Sequence, residues 1–486
     1  MPKSPIDWNV SRRNFLLGGG AAALLAACGD SSSDTTATAA TTPAATTPAA
    51  TTPAGAAMPV DSFVEPATAL SGDLSILLWS HFVPSHDLEW FDQMAKDWGD
   101  QVGVNVVVDH IGVGDVPAAI AGEIQSGQPQ HDLMQYIAVL GQHEPSVVDM
   151  GDVVAEAESR YGQMLDLTRK SSLNPNTGKY FAYAPAWAPD PGNYRKSLWE
   201  AEGFPNGPSS WDELLEGGSA IFANQGVQMG IGLSQEIDSN MAGRTLMWSF
   251  GAGIQDANEN VIINSDETIA ALEYMKQLFE NAMTEEVFAW GAASNNQGLI
   301  AGELSYILNS ISAWRTSQVD APDVADDVFF TPALAGPAAA LAAQHVMYNW
   351  IVPDFEGVNV AAAQEFLLHY TENLASVAWH SKLYDFPAFT ERVPELDNWL
   401  NNDPFGAAPA DKLKVLATAT DWAVNIGYPG PASPAIGQVF GEAIIPVMFA
   451  SVANGSQTPA EAVADAERAI NGIFDDWRGR GLVGGG

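Results

Sequence analysis

The segment Leu74-Ser75-Ile76-Leu77-Leu78-Trp79 is a short apolar run of the kind that forms a buried β-strand. Residues 104–108 and 132–137 have the same character further along the chain. Between the first two runs, apolar residues recur at helical spacing, at Leu88, Phe91, Met94, Ala95 and Trp98, and residues 116–124 read as a second helix. Strands that alternate with amphipathic helices indicate an α/β layer with a parallel sheet.

The same pattern predicts where a ligand binds, because ligands of parallel α/β sheets lie beyond the carboxyl ends of the strands. Residues 79–82, Trp-Ser-His-Phe, follow the first strand and are therefore expected at a binding edge.

The remainder of the chain supplies the elements of a second lobe. A strand is predicted at 180–185, and the proline-rich residues 186–192 are expected to make the first crossing into that lobe. Further strands are predicted at 229–233, 304–308 and 345–352, and a helix at 361–370. Helix starts are indicated by the capping residues Ser210 (with Glu213), Asn264 and Thr458 (with Pro459 and Glu461).

An export signal precedes this folded part. Ser11-Arg12-Arg13-Asn14-Phe15-Leu16 resembles the twin-arginine export signature, and Leu25-Ala26-Ala27-Cys28 resembles a bacterial lipobox. The apolar run between them is too short and too glycine-rich to span a membrane stably. We therefore expect residues 1–27 to be removed and Cys28 to carry lipid. Residues 28–71, rich in Ser, Thr, Ala and Pro, are expected to form a disordered linker, with the folded part starting near Gly72.

Composition excludes several classes of function. The 486 residues are 47% hydrophobic and carry a formal net charge of −39, so the chain can bury a large core and repels phosphate backbones. Nucleic-acid binding is therefore not expected. Cys28 is the sole cysteine, so we expect neither disulfides nor thiolate metal sites in the exported protein.

Several segments together resemble the family 1 extracellular solute-binding proteins, the receptors that feed ABC importers of sugars. The stretch 193–204, Asn-Tyr-Arg-Lys-Ser-Leu-Trp-Glu-Ala-Glu-Gly-Phe, and the block 208–214, Pro-Ser-Ser-Trp-Asp-Glu-Leu, are similar to two family motifs. Residues 251–256 with 264–268, residues 296–305 and residues 454–462 match further motifs in the family's order.

The resemblance implies a two-lobed α/β fold of the periplasmic-binding-protein type (type II), in which each lobe is a sheet flanked by helices and crossing hinge strands join the lobes. Residues 72–185 plus 345–388 would form lobe 1, and residues 186–344 plus 389–486 would form lobe 2. One ligand would lie in the cleft, and the hinge would close around it.

The implied function is capture of a carbohydrate, either an oligosaccharide, a simple sugar or a polyol, and its presentation to membrane permease subunits. The protein would be a non-enzymatic monomer without cofactor or metal, and would meet the outer face of the cytoplasmic membrane only through its lipid.

Sugars present apolar C–H faces and a girdle of hydroxyl groups, so a receptor needs aromatic rings beside short polar side chains. Such residues near predicted strand ends and in turn-rich loops give ten ligand-binding candidates: Trp79, His81, Trp187, Trp248, Asn295, Asn309, Trp314, Tyr348, Trp350 and Tyr428. Core packing is the alternative role for each tryptophan.

Other functions remain open. The same fold could bind a polyamine, a peptide or a carboxylate, and an exported glycoside hydrolase could use Asp190, Glu236 and Asp238. His81 and His86 lack the spacing of a helical metal pair. Because cations are scarce, Arg244 or Arg315 in the cleft would favour an acidic sugar or carboxylate; otherwise each is expected in an exposed ion pair.

Overall fold

Three four-stranded sheets organise residues 57–486, the part of the chain that the structure, a computed structural model, describes. A separate two-stranded hairpin joins β4 to β5. The strands are β1 Gly72–Trp79, β2 Val104–Ile111, β3 Leu133–Tyr136, β4 Leu173–Asn174, β5 Lys179–Tyr180, β6 Ala186–Pro189, β7 Gly192–Arg195, β8 Gln228–Gly230, β9 Leu304–Leu308, β10 Val328–Thr331, β11 Ala342–Met347, β12 Asn349–Ile351, β13 Phe386–Pro387 and β14 Ala423–Val424.

Helices surround the sheets and supply most of the buried apolar surface. They are α1 Asp92–Val102, α2 Val116–Ser126, α3 Gly151–Tyr161, α4 Asp166–Ser172, α5 Lys196–Ala201, α6 Trp211–Gln225, α7 Ile237–Phe250, α8 Asp266–Ala282, α9 Ser294–Ile300, α10 Ser312–Asp320, α11 Pro322–Asp327, α12 Val360–Glu372, α13 Leu374–His380, α14 Leu396–Asn401, α15 Ala419–Trp422, α16 Pro434–Gly441, α17 Ile444–Ala453 and α18 Pro459–Gly479.

The first sheet has the order β12-β3-β1-β2. β1 runs parallel to β2, from Gly72 opposite Val104 to Trp79 opposite Ile111, and also parallel to β3. The parallel sheet predicted from the apolar runs is therefore confirmed. β12 closes one edge in the antiparallel direction.

The helix predicted after β1 forms, but its predicted apolar face is wrong at one residue. Met94, Ala95 and Trp98 are buried, whereas Leu88 is 79% exposed. The cause is a π-helical turn over Asp87–Phe91, because a wider turn shifts the residues before it off the face that a 3.6-residue period projects.

The second sheet, β10-β7-β9-β8, is built from strands that lie between residues 192 and 331. It shares an apolar core with α7, α16 and α18, to which Tyr306, Leu246 and Phe474 contribute. The strands predicted at 229–233 and 304–308 correspond to β8 and β9.

The third sheet, β13-β6-β11-β14, is where the chain passes between the other two. β6 leads directly into β7 of the second sheet, and β11 leads directly into β12 of the first. The strand predicted at 180–185 is misplaced, since β6 begins at Ala186 in the segment expected to be an irregular crossing. Pro189 is tolerated because it is the last residue of that strand.

Helix caps follow the sequence closely. Thr458 and Glu461 form the reciprocal capping box predicted for α18. Ser210 caps α6, although the Glu213 carboxylate accepts from Ser209 N and not from Ser210 N. The cap predicted at Asn264 is wrong by one residue, because Ser265 accepts from Thr268 N while the Asn264 amide donates to Glu467.

Folded contacts begin before the predicted start at Gly72. Ser62 N donates to Asn373 Oδ1 at 2.7 Å, Trp90 Nε1 donates to Asp61 Oδ2 at 2.7 Å, and Ala67 N donates to Glu365 Oε1 at 3.0 Å. We call residues 61–67 the strap, because they lie along α12 and α13. The end of the predicted linker, at residue 71, is corrected to before Asp61.

The predicted signal peptide, the lipid-bearing Cys28 and the linker up to residue 56 lie outside the described residues. Between residues 57 and 486, no single helix has the length and apolar character to cross a membrane, and α16 with α17, bent by 43°, meets that criterion only as a pair.

Candidate functional site

A cavity of about 350 Å³ opens beyond the carboxyl ends of β2 and β3. We call it the cleft. Val113, Gly114 and Pro117 line it after β2, and Tyr136, Val139 and Gln142 line it at and after the end of β3. The facing wall is formed by the start of α7, Ala292 and α16, which belong to the half of the molecule that contains the second sheet. The cleft thus lies beyond the carboxyl ends of parallel strands, where ligands of α/β sheets bind. Residues from the halves that contain the first and the second sheet both line it.

Rings and amides are combined in the lining. Tyr136 and Phe440 supply aromatic surface, and Gln142, Asn240 and Glu236 supply polar groups. Gln142 Oε1 is buried and accepts no hydrogen bond. Burial raises the pKa of Tyr136 to about 12, so its hydroxyl stays protonated as a donor. These groups offer both stacking and hydrogen bonding to a small polar molecule.

Glu236 lines the cleft, but its carboxylate already accepts hydrogen bonds from the protein. As the N-cap of α7, its carboxylate accepts from Ser239 N at 2.5 Å and from Asp238 N at 2.7 Å. Burial raises the pKa of Glu236, and these hydrogen bonds act in the opposite direction. The carboxylate is therefore directed toward the helix end.

A buried polar cluster lies behind Glu236. Asp238 Oδ2 accepts from Asn295 Nδ2 at 2.7 Å, and Asn309 Nδ2 donates to Asn295 Oδ1 at 3.2 Å. Burial and the nearby Glu236 charge raise the pKa of Asp238 well above its ordinary value.

His345 and Asp190 complete this cluster. His345 Nδ1 lies 3.2 Å from Asp190 Oδ1. Burial opposes charging of His345, but Asp190 and the charges of Asp238 and Glu236 together raise the pKa of the imidazole. Three carboxyl groups and one imidazole therefore act on one another close to the cleft.

Two glycines allow the walls of the cleft to meet closely. A Cβ atom on Gly141 would lie 3.0 Å from the backbone of Ser433 and of Pro434, at the start of α16. A Cβ atom on Gly437, in α16, would lie 2.3 Å from Gln142 Oε1. Ala138 and Val139 also pack into the second-sheet core, so the loop after β3 is one of the contacts between the two sides.

Residues 93–408, about two thirds of the chain, match the family model for bacterial extracellular solute-binding proteins. The chain is a bacterial extracellular solute-binding protein. This confirms the resemblance inferred from the sequence. A protein of Brucella abortus (strain 2308) that is named as a binding protein is 26% identical over 149 residues, and the match spans 30% of this chain and 36% of that relative's length.

Solved structures show the same fold. Maltose-bound MalE3 of T. maritima aligns with a TM-score of 0.67 at 18% identity, over 83% of this chain and 100% of that one. A sugar transporter protein of Arthrobacter chlorophenolicus A6 with bound laminaribiose gives 0.68 at 16% identity, over 82% and 99%. A ribitol-bound solute-binding protein of Agrobacterium radiobacter K84 gives 0.66 at 19% identity, over 84% and 100%. The predicted two-lobed α/β fold is confirmed.

None of the ten candidate residues lines the cleft of this solute-binding protein. Three of them pack together: Trp79 and Tyr348 have ring centres 6.1 Å apart, and His81 Nε2 lies 3.1 Å from the Tyr348 hydroxyl. Asn295 and Asn309 belong to the cluster around Asp238. That any of the ten contacts ligand stays a prediction.

The other aromatic candidates lie in apolar packing or at the surface. Trp187, Trp314 and Trp350 are at most 1% exposed and pack on Phe386, Phe330 and Phe91 respectively. Trp248 meets Tyr428 edge to face, with Tyr428 36% exposed.

The two arginines contradict the expectation of exposed ion pairs. Arg315 is 3% exposed and forms a two-pronged ion pair with Asp403, at 2.7 and 3.0 Å. Arg244 is 1% exposed, and burial lowers its pKa to about 9, so it stays charged at neutral pH.

Metal ligands are not assembled in the part of the chain that the structure describes. No three His, Cys, Asp or Glu side chains there are grouped so as to hold a metal ion, although the His81 and His86 rings stack 4.5 Å apart.

The cleft residues differ in how visible they are in the sequence. Tyr136 ends a predicted strand, so the rule applied to Trp79 would have found it as well. Phe440 and Asn240 carry no such signal, because only the packing of α16 against α7 brings them to the cavity.

Proposed function

We propose that the protein is the receptor of an ABC importer, and that it captures a carbohydrate in the cleft and presents it to membrane permease subunits. The observation that carries the proposal is the lining of the cleft, where two rings stand beside amide and carboxyl side chains in a cavity of about 350 Å³. The maltose, laminaribiose and ribitol complexes of proteins with the same fold support this ligand class.

The proposal includes closure of two lobes, residues 72–185 plus 345–388 and residues 186–344 plus 389–486. The paired strands β6 and β11 would be the hinge, because the chain crosses there in both directions. Ligand held by both walls favours the closed form, and that form is what a permease would recognise.

Melting-temperature shifts with sugars, polyols, polyamines, short peptides and carboxylates test the ligand class, because a ligand that binds the native state alone raises the melting temperature. We expect shifts with carbohydrates. A shift with polyamines or peptides and none with any carbohydrate would contradict the proposal.

Cleft variants test the place of binding. Tyr136→Ala should weaken binding of the best ligand by about tenfold or more, as expected for a lost aromatic contact and hydrogen bond, whereas Tyr136→Phe should keep the stacking. Tyr428→Ala tests the alternative place of binding, since Tyr428 is a sequence-predicted ligand candidate, 36% exposed, that lies outside the cleft. Loss of binding in the Tyr428 variant alone would place the site elsewhere.

Absence of catalysis is part of the proposal. Of the three carboxyls that a glycoside hydrolase could use, Glu236 accepts from helix N–H groups, Asp238 accepts from Asn295, and Asp190 lies 3.2 Å from His345 Nδ1. Incubation with glycans should therefore release no new reducing ends.

We also propose export with a lipid on Cys28, supported by the twin-arginine and lipobox motifs. Labelling cells with a palmitate analogue should mark the wild type and not Cys28→Ala, and the variant should leave the membrane fraction. Labelling that survives the substitution would overturn the anchor.

A further inference from the structure

Arg244 lies on α7, two helical turns beyond Glu236, and its charge has no counterion. The residue is 1% exposed, and no carboxylate of residues 57–486 lies within ion-pair distance of it. Burying an uncompensated charge is strongly unfavourable. An anionic group of a ligand would compensate this charge.

The guanidinium is placed directly behind the wall of the cleft. Its Nη1 donates to Asn240 Oδ1 at 2.7 Å and to Asn240 O at 3.2 Å, and its Cζ lies 5.0 Å from the centre of the Phe440 ring. Asn240 and Phe440 both line the cleft. Nε and Nη2 have no hydrogen-bond partner, so two donors are unused at this wall.

Arg315 is a buried arginine of the same chain whose guanidinium has its hydrogen-bond partners and a counterion. At 3% exposure its Nη1 and Nη2 donate to both oxygens of Asp403, and its Nε donates to Lys382 O at 2.8 Å. Arg244 has none of these partners. The difference between two equally buried arginines is the absence of an anion beside the one at the cleft.

We infer that Arg244 binds a carboxylate of the ligand, so that the transported solute is an acidic sugar. This inference rests on the proposed carbohydrate receptor. A carboxylate matches the planar donor set of a guanidinium, and the two side chains that contact this guanidinium, those of Asn240 and Phe440, line the cleft. Glu236 does not compete for the guanidinium, because its oxygens accept from the start of α7. Gln142 Oε1, which also lacks a partner, is available to a sugar hydroxyl.

Binding of matched sugars tests the inference on the unaltered protein. Titration calorimetry would compare glucose, galactose and mannose with their uronic acids and with the uncharged uronamides. The best uronic acid should bind about 10- to 100-fold more tightly than its neutral sugar and its amide, the range expected for hydrogen bonds to a charged group.

Variants then assign the preference to one side chain. Arg244→Met should remove the preference for the acid and raise the melting temperature of the protein without ligand, because a buried unpaired charge is gone. Arg244→Lys should lose part of the preference, since an ammonium lacks the planar fork. Arg468→Met, at an exposed arginine of α18, is the control for loss of one positive charge.

The outcomes separate the inference from the proposed function. Neutral sugars that bind as tightly as their acids, or a preference that persists in Arg244→Met, would overturn the inference and leave the receptor proposal standing. If sulfate or phosphate stabilises the wild type as strongly as the uronic acid does, and this stabilisation is lost in Arg244→Met, the arginine binds a free anion. That result would also overturn the inference. If no sugar of any charge binds, both fail.

Discussion

Asp238 is the residue whose ionisation is most constrained by its surroundings. It is 8% exposed, hydrogen-bonded to Asn295 and close to Glu236, Asp190 and His345. A carboxyl whose pKa is raised in the fold contributes its full stability below the pKa of the unfolded chain, and loses it as pH rises through the folded pKa. The native state therefore favours the neutral acid at this position.

Asp238→Asn tests this directly. The amide keeps an acceptor for Asn295 and cannot ionise, so we expect the variant to melt higher than the wild type at about pH 8. The difference should shrink as pH falls through about 4 and close near about pH 3, where the carboxyl is largely protonated in the unfolded chain as well as in the folded one. Melting curves across this range are the measurement, with Glu216→Gln, at an exposed site in α6, as the control. A variant less stable than wild type at the higher pH would refute the assignment.

Among the elements, α18 has the best-defined start. Thr458 Oγ1 accepts from Glu461 N at 3.4 Å, Glu461 Oε2 accepts from Thr458 N at 3.0 Å, and Pro459 occupies the first helical position. The helix then buries Val463, Ile470 and Phe474. Because this one end orients a long helix, its cap contributes to the stability of the second core.

Thr458→Ala should lower the free energy of unfolding by about 1 kcal/mol, the usual effect of removing a helix N-cap. Urea unfolding followed by far-UV circular dichroism measures it. Thr458→Ser keeps the hydroxyl and should unfold near the wild-type midpoint. Equal destabilisation by both substitutions would point to lost methyl packing rather than to the cap.

Elements with strong local signals could be predicted, and those set by distant packing could not. β1, β2, β3 and α18 were visible because buried runs and capping residues act within a few positions. The π-helical turn at Asp87–Phe91 and the start of β6 at Ala186 depend on neighbours far along the chain. The cleft is partly predictable for the same reason: Tyr136 follows from strand order, whereas Phe440 meets Arg244 and Asn240 only after α16 packs beside α7.

At the scale of the whole molecule, the loop after β3 and the start of α16 are in close backbone contact. Gly141 has no side chain where the backbone of Ser433 and Pro434 passes. Gly437 similarly leaves room for Gln142, but the end of a flexible side chain can move aside, whereas backbone cannot. The two glycines therefore differ in what a methyl group would do.

Gly141→Ala should push the walls apart by a few tenths of an ångström and weaken ligand binding by roughly tenfold, as expected for an overpacking cost of about 1 to 3 kcal/mol. Gly437→Ala should have a smaller effect. Calorimetry gives the affinities, and small-angle scattering should show less compaction with ligand for the Gly141 variant. Gly122→Ala, in open space on α2, is the control. Unchanged affinity in Gly141→Ala would mean that this contact does not take part in closure.

The strap determines which half of the molecule a lipid anchor on Cys28 would hold. Asp61 and Ser62 are hydrogen-bonded to Trp90, Asn373 and Ser376 beside the first sheet. A force transmitted along the chain from its N-terminal part would therefore act first on that half. If Cys28 is anchored in a bilayer and the two lobes close as proposed, the half containing α7 and α16 would be the one that moves. A fluorophore on α17 should change its distance to the bilayer when solute is added, while one on α12 should stay nearly still.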